Sequence, residues 1–168
     1  VKNAAPSLKA SKLTGQNRKV VVIGIGNLIR RDDGVGIHAI RALGNVKISE
    51  NIDLKIIDGG LEPDLAVLVD HGVDKLIIID AVLSQRKPGD IQRLPISTVE
   101  KSGYETRSAH YLNMRQSLKM LELLGNMPKE IVVFGVEPDD MSPGTDLSPI
   151  IAGILPEVVK TVVGEIVH

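Results

Sequence analysis

From Lys19 onward the chain alternates short aliphatic runs with longer stretches of mixed polarity. Four runs stand out: KVVVIGIG (19–26), DLKIIDGG (53–60), DKLIIID (74–80) and EIVVFGVE (130–137), all rich in Val and Ile and closed by Gly or an acid. Continuous apolar runs belong to strands covered on both faces, the condition of a parallel sheet with helices on each side. GDIQRL (89–94) alternates instead and follows Lys87-Pro88, which predicts an edge strand.

Helical patterns fill the gaps. Gly34–Leu43 sets Ile37, Ala39 and Ile40 near one face, and Pro63–Asp70 reads as a short helix with Pro63 in its first turn. Ser108–Leu124 has the strongest period, with Tyr111, Met114, Leu118 and Leu121 in one stripe. Ser108 is its expected N-cap, Gly125 its stop, and Pro128 lies just beyond. A last helix starts at Ser148-Pro149 and carries regularly spaced apolar doublets; Pro156 inside it predicts a kink or a division. This strand–helix alternation specifies an α/β fold, a three-layer α/β/α domain. Residues 1–18 show neither period and read as a flexible tail, leaving 19–168 as a single domain.

Composition narrows the function. With 168 residues, 43% hydrophobic and 24% charged, the chain has an ordinary globular make-up with one sizeable core. Twenty basic against 21 acidic side chains give −1, so there is no electrostatic case for nucleic acid or an anionic membrane. The only aromatics, Tyr104, Tyr111 and Phe134, offer no base-stacking surface. The absence of cysteine removes disulfides, thiol nucleophiles, Cys-based zinc sites and iron–sulfur ligation by this chain. No apolar run approaches a membrane span and no signal-peptide core is visible at the N-terminus, so membrane insertion is not expected and the default location is cytoplasmic.

In an open α/β sheet, ligands bind outside the carboxyl ends of the strands. The loops there are GIGNLIRRDDGVG (24–36), IDGGLEPD (57–64) and IDAVLS (79–84). A dinucleotide fingerprint begins at Gly24 and Gly26 but meets Ile29 where its third glycine belongs, and Asp32 and Asp33 would repel a pyrophosphate. A nucleotide-binding regulatory domain is therefore a weak alternative. Asp33, Asp80 at the end of the LIII run, and His110 near the start of the long helix form another constellation. Two carboxylates and an imidazole suit a borderline divalent ion such as nickel, zinc, cobalt or manganese. A helix N-terminus keeps the imidazole neutral and ready to ligate. Plainer readings stand beside this one: an Asp after a buried strand caps a turn, Asp32 and Asp33 complement a helix dipole, and a first-turn His is a surface or capping residue. His38, His71 and His168 read as structural or solvated. Neither G-x-S-x-G nor H-E-x-x-H is present.

GIGNLIRRDDGVG (24–36), IDGG (57–60), LIIIDAV (76–82), Ser108-Ala109-His110 and GVEP (135–138) occur in an order and spacing that resembles the nickel-dependent hydrogenase maturation endopeptidases. The likeness runs from about Lys19 to Val167. It implies a five-stranded mixed sheet whose fourth strand is antiparallel, flanked by helices. It also implies a partner, the large-subunit precursor of a nickel–iron hydrogenase, from which the family removes a C-terminal extension once nickel is installed. Carried over by motif, Asp33, Asp80 and His110 are the metal-contacting and catalytic residues. Some members have Glu at the second acid of the pair, one methylene longer than Asp33. The resemblance makes nickel a passenger of the substrate, held on its thiolates, with other divalent ions as substitutes in the free protein. Gly26, Asn27, Asp32, Gly34, Gly36, Asp58, Gly59 and Gly60 then belong to loops that meet the precursor, the glycines allowing close backbone approach. A nickel-binding assembly chaperone would use the same three ligands without cutting, since a site does not prove a reaction.

Overall fold

In the computed structural model, residues 17–96 and 110–168 are described. The aliphatic runs form β1 (Arg18–Gly24), β2 (Ile52–Asp58), β3 (Lys75–Ala81) and β5 (Glu130–Val136), and the alternating segment forms β4 (Ile91–Pro95). They make one sheet in the order β2-β1-β3-β5-β4. The first four of that order run parallel, and β4 pairs antiparallel with β5 at the edge. The expected mixed sheet with one antiparallel edge strand is therefore present.

Side-chain alternation along the strands divides the core in two. Val20, Val22, Ile77, Ile79 and Phe134 pack beneath α1 (Val35–Leu43) and α4 (Pro149–Val167). Val21, Ile23, Leu76, Ile78 and Val133 pack beneath α2 (Leu65–Leu68) and α3 (His110–Leu123). Strands β1, β3 and β5 are covered on both faces, which is why their sequences are continuously apolar. Strand β2 departs from that expectation. It is the other edge of the sheet, and Asp53 and Lys55 stand exposed between residues packed on the core.

Several boundaries differ from the sequence reading for local reasons. Arg18 already belongs to β1, paired with Ile52. Pro63 precedes the helix instead of opening it: Asp64 is the N-cap of α2, its carboxylate accepting the Ala66 N–H at 3.1 Å. Pro156 does not divide α4, which runs unbroken from a Ser148 cap. Pro156 and Ala152, whose carbonyl loses its helical donor, both lie on the exposed side, so that carbonyl is not buried without a partner. Gly125 ends α3 region as expected, with φ +69°. Residues 1–16 and the Ser108 cap lie outside the described residues.

Two glycines bring α1 hard against the sheet. A Cβ on Gly36 would stand 2.2 Å from the Ile79 carbonyl oxygen and 2.3 Å from that of Ile25. Gly26, at φ +146°, has the Asp33 carbonyl 1.9 Å from where a Cβ would be. The Asp33 loop is thus pressed onto the ends of β1 and β3.

Candidate functional site at the sheet switch point

Chain order reverses between β1 and β3, and the crevice beyond their carboxyl ends is the expected ligand position in such a sheet. The loop after β1 is fixed over that point by backbone bonds. Ile25 N–H donates to Ile79 at 2.9 Å, Gly26 N–H to Gly60 at 2.9 Å, and Asn27 N–H to Asp33 at 3.2 Å. A 3-10 turn, Arg31–Gly34, then carries both acids into the interior. Arg31 adopts φ +45°, a left-handed conformation uncommon for a side chain of its size. Its N–H is held by the Gly144 carbonyl at 2.9 Å, and its guanidinium lies 3.2 Å from Asp140.

The two acids of the pair have different surroundings. Asp32, fully buried, accepts three backbone N–H groups: Asp139 at 3.0 Å and Asp140 at 2.8 Å on Oδ2, and Ser148 at 2.7 Å on Oδ1. Its carboxylate thereby ties the turn to the segment after β5 and to the cap of α4. Asp33, 4% exposed, stands close enough to the fully buried Asp80 to act on its charge.

Asp80 is the least satisfied acid of the site. Its Oδ1 accepts the Ala81 N–H at 2.9 Å, while Oδ2 is buried with no hydrogen-bond partner. Burial, and then the neighbouring Asp33 charge, push its carboxyl up to about 8 against the opposing Ala81 bond. A carboxyl so shifted holds its proton at neutral pH.

Helix α3 brings the third predicted residue to the same end. Its C-terminal side returns to the amino edge, where Lys129 N–H meets Val73, and Ser117 Oγ donates to the Pro63 carbonyl at 3.3 Å. The helix therefore climbs toward the carboxyl edge, with His110 as its first residue, one turn before the buried Met114. The His110 side chain lies outside the described residues. Among those described, no three His, Cys, Asp or Glu side chains gather as a metal group.

The remaining loop residues serve varied local ends. Asn27 Oδ1 accepts the Ile29 N–H at 3.1 Å. Asp58 is exposed; its Oδ1 accepts the Gly60 N–H at 2.9 Å and its Oδ2 lies 3.8 Å from Arg41. Gly34 packs against Leu28, Gly59 against Ile23, and Gly60 faces open space. Sequence reasoning missed Glu137, which is 4% exposed and accepts both the backbone N–H and the hydroxyl of Ser84, at 2.8 and 2.5 Å. An acid directly after a buried strand and before Pro138 was the available signal.

A doubly wound α/β sheet with a buried acidic pair at its switch point defines a protein whose functional edge suits a cation better than a phosphate. Comparison with known proteins identifies which. The family model of hydrogenase maturation protease, HycI, matches residues 37–165. The hydrogenase 2 maturation protease of Escherichia coli is 28% identical over 146 residues, 86% of this chain and 88% of that protein. A putative hydrogenase maturation protease of Methanocaldococcus jannaschii is 27% identical over 158 residues, 90% and 98% of the two chains. Among solved structures, the hydrogenase maturating endopeptidase HybD from E. coli matches with a TM-score of 0.76 at 27% identity, over 86% of this chain and 89% of that one. HybD from Thermococcus kodakarensis, a [NiFe] hydrogenase maturation protease, matches at 0.70 and 26%, over 86% and 96%. The chain belongs to the hydrogenase maturation protease family and is an endopeptidase. No helix among the described residues is long and apolar enough to cross a membrane.

Proposed function

We propose that this endopeptidase removes a C-terminal extension from the large-subunit precursor of a nickel–iron hydrogenase, and that Asp33, Asp80 and His110 contact the nickel the precursor carries. One observation carries the reading: the buried, partnerless Oδ2 of Asp80 beside the Asp33 carboxylate at the switch point. A buried acceptor without a partner costs on the order of 1–3 kcal/mol, and a cation held between the two acids removes that cost. Two oxygens and an imidazole nitrogen suit a borderline ion such as nickel. Having no cysteine, the chain offers no thiolate of its own, so thiolates in the coordination sphere come from the substrate.

When bound, the nickel supplies Lewis acidity toward a carbonyl or a water. The protein's part is to hold the ion and the segment around it. Asp33 is carried by the 3-10 turn that Asp32 anchors. Asp80, after losing its proton to solvent, would offer its buried Oδ2 to the cation. His110, the first residue of α3, would supply the imidazole. Membership of the family and the acidic pair both support this arrangement.

The test is incubation of the full chain with a nickel-loaded precursor, followed by the product mass. Release of the extension, lost at least a hundredfold in Asp80→Ala and absent with a nickel-free precursor, is the expected result. A precursor that binds but keeps its mass would mark an assembly chaperone and end the proposal.

A further inference from the structure

Glu137, the first residue after β5, is buried and has no part in the cleavage outlined above. β5 lies beside β3 with Gly135 paired to Asp80, so Glu137 stands one strand across from Asp80 and two residues further along. Both of its side-chain bonds fall on Oε2, which accepts the N–H and the hydroxyl of Ser84. Gln92 donates to the same hydroxyl oxygen at 2.6 Å. The Glu137 backbone holds the far end of that loop: its N–H donates to Asp90 at 3.0 Å, and its carbonyl accepts the Gly89 N–H at 2.9 Å. With Val82 N–H bonded to Val136 at 2.9 Å, the loop leaving Asp80 is clamped at 82, 84, 89 and 90 by two consecutive residues.

The residues that follow hold the other acid. Asp139 and Asp140 give their N–H groups to the Asp32 carboxylate, and the Asp140 carbonyl accepts the Asp32 N–H at 3.1 Å. Those bonds fix the turn on which Asp33 sits. Between the two clamps lies Pro138, also buried. Its ring fixes its own φ and keeps the preceding Glu137 extended. The carriers of Asp33 and Asp80 are thus joined through one stiff link, residues 137–140. Two carboxylates that repel each other when both are ionised need such a link, since their carriers would otherwise move apart. Bonds to a carboxylate are roughly twice as strong as those between neutral groups, which suits Glu137 to the task.

We infer that Glu137 is a positioning residue for the cleavage: by tying the 137–140 link to the loop after Asp80, it sets the spacing at which Asp33 and Asp80 meet the cation. The inference rests on the function proposed above and adds a residue on which that site depends. Glu137 touches neither the cation nor the substrate in this account; it acts through the two acids.

Two readouts on the full chain test it: kcat/KM for the nickel-loaded precursor, and calorimetric affinity for nickel alone. Glu137→Ala should lower both about tenfold or more, since a misplacement of about 1 Å costs on the order of 10²-fold. Glu137→Gln keeps an oxygen that accepts both Ser84 donors, and should stay within about threefold of wild type in each. Ser84→Ala removes only the hydroxyl bond; it should lower both about fivefold with an unchanged melting temperature, and carries the test if Glu137→Ala fails to fold. Glu165→Gln, a destabilising change at the opposite edge of the sheet, is the control and should keep both readouts. Wild-type values in Glu137→Ala and Ser84→Ala, a change in only one readout, Glu137→Gln as impaired as Glu137→Ala, or an equal loss in Glu165→Gln overturn the positioning role and leave the function standing. A wild-type chain that cuts no precursor overturns the function, and the role of Glu137 falls with it.

Discussion

Asp80, proposed above to contact the metal, is held in the fold at a cost to stability. Its ordinary carboxyl value is 3.8, and in the fold it lies at about 8, chiefly through burial and then through Asp33. Between those two values the native chain keeps a proton that the unfolded chain has lost. Stability therefore falls as pH rises from about 4 to about 8, and the cost is complete above that window. Asp80→Asn removes the ionisation and should stabilise the protein by on the order of 3 kcal/mol at pH 7, while abolishing cleavage. Urea unfolding at pH 7 and again below pH 4 checks the sign, because the gain should vanish at the lower pH. A variant less stable than wild type at pH 7 would refute this account. Asp32, next to Asp33, presents the opposite case, with its charge spent on three backbone donors. Asp32→Asn, which replaces one acceptor oxygen by a donor, should destabilise by about 2–4 kcal/mol in the same measurement, since charge-assisted bonds to buried N–H groups are lost. The doublet Asp32-Asp33 is visible in the sequence as a pair at a loop end. Its division of labour is not, because the donors that claim Asp32 lie more than a hundred residues further along, at Asp139, Asp140 and Ser148.

Among the elements, those whose residues are buried by their immediate surroundings are the legible ones. β1, β3 and β5 announce themselves through unbroken aliphatic runs, and α3 through the Met114, Leu118 and Leu121 stripe, all buried. β2 reads the same way in sequence yet is half exposed, because its place at the edge is decided by strand order and not by its own residues. Interactions joining four elements are wholly hidden. Lys75, the first residue of β3, is buried, with Glu165 of α4 at 2.5 Å and Glu130 of β5 at 3.0 Å. Arg93 of β4 completes the cluster, 2.7 Å from Glu165 and 2.9 Å from Glu130. The Arg93 hydrogen bond first, and Lys75 after it, outweigh burial and pull Glu165 down from 4.5 to about 2. A depressed carboxyl contributes stability that is present above its unfolded value of about 4.5 and is lost as pH falls through about 2. Glu165→Gln leaves Lys75 buried with one acid fewer and should cost about 2–4 kcal/mol at pH 7. The difference from wild type should shrink steadily between pH 4.5 and pH 2, followed by urea midpoints. A constant difference across that range would show that the loss is one of packing.

At the scale of the whole molecule, parallel strands deliver the ends of β1, β2 and β3 to one edge, and α3 starts at that same edge. That is why motifs scattered from Gly24 to Pro138 keep a fixed order: four of them close strands whose ends face the same edge, and the segment ending at His110 leads into α3. The order was readable in the sequence, and so were Asp33 and Asp80 as acids at neighbouring strand ends, while the His110 side chain lies outside the described residues. What lets the acids come so close was not, since it depends on Gly36 letting α1 settle against β3. Two carboxylates and one imidazole leave several coordination positions to water, so the free chain should bind nickel weakly, with the precursor's thiolates supplying the remaining affinity. Because Asp80 holds its proton up to about pH 8, nickel bound through it as proposed would have to displace that proton. Affinity of the free chain for nickel should therefore rise about tenfold per pH unit from pH 6 to pH 8 and flatten above, with one proton released per ion bound. Calorimetric titration in buffers of different ionisation enthalpy counts that proton directly. In Asp80→Asn the release should disappear along with most of the pH slope. A wild-type affinity that does not change between pH 6 and pH 8 would place the metal away from Asp80, and the acidic pair would then need another purpose.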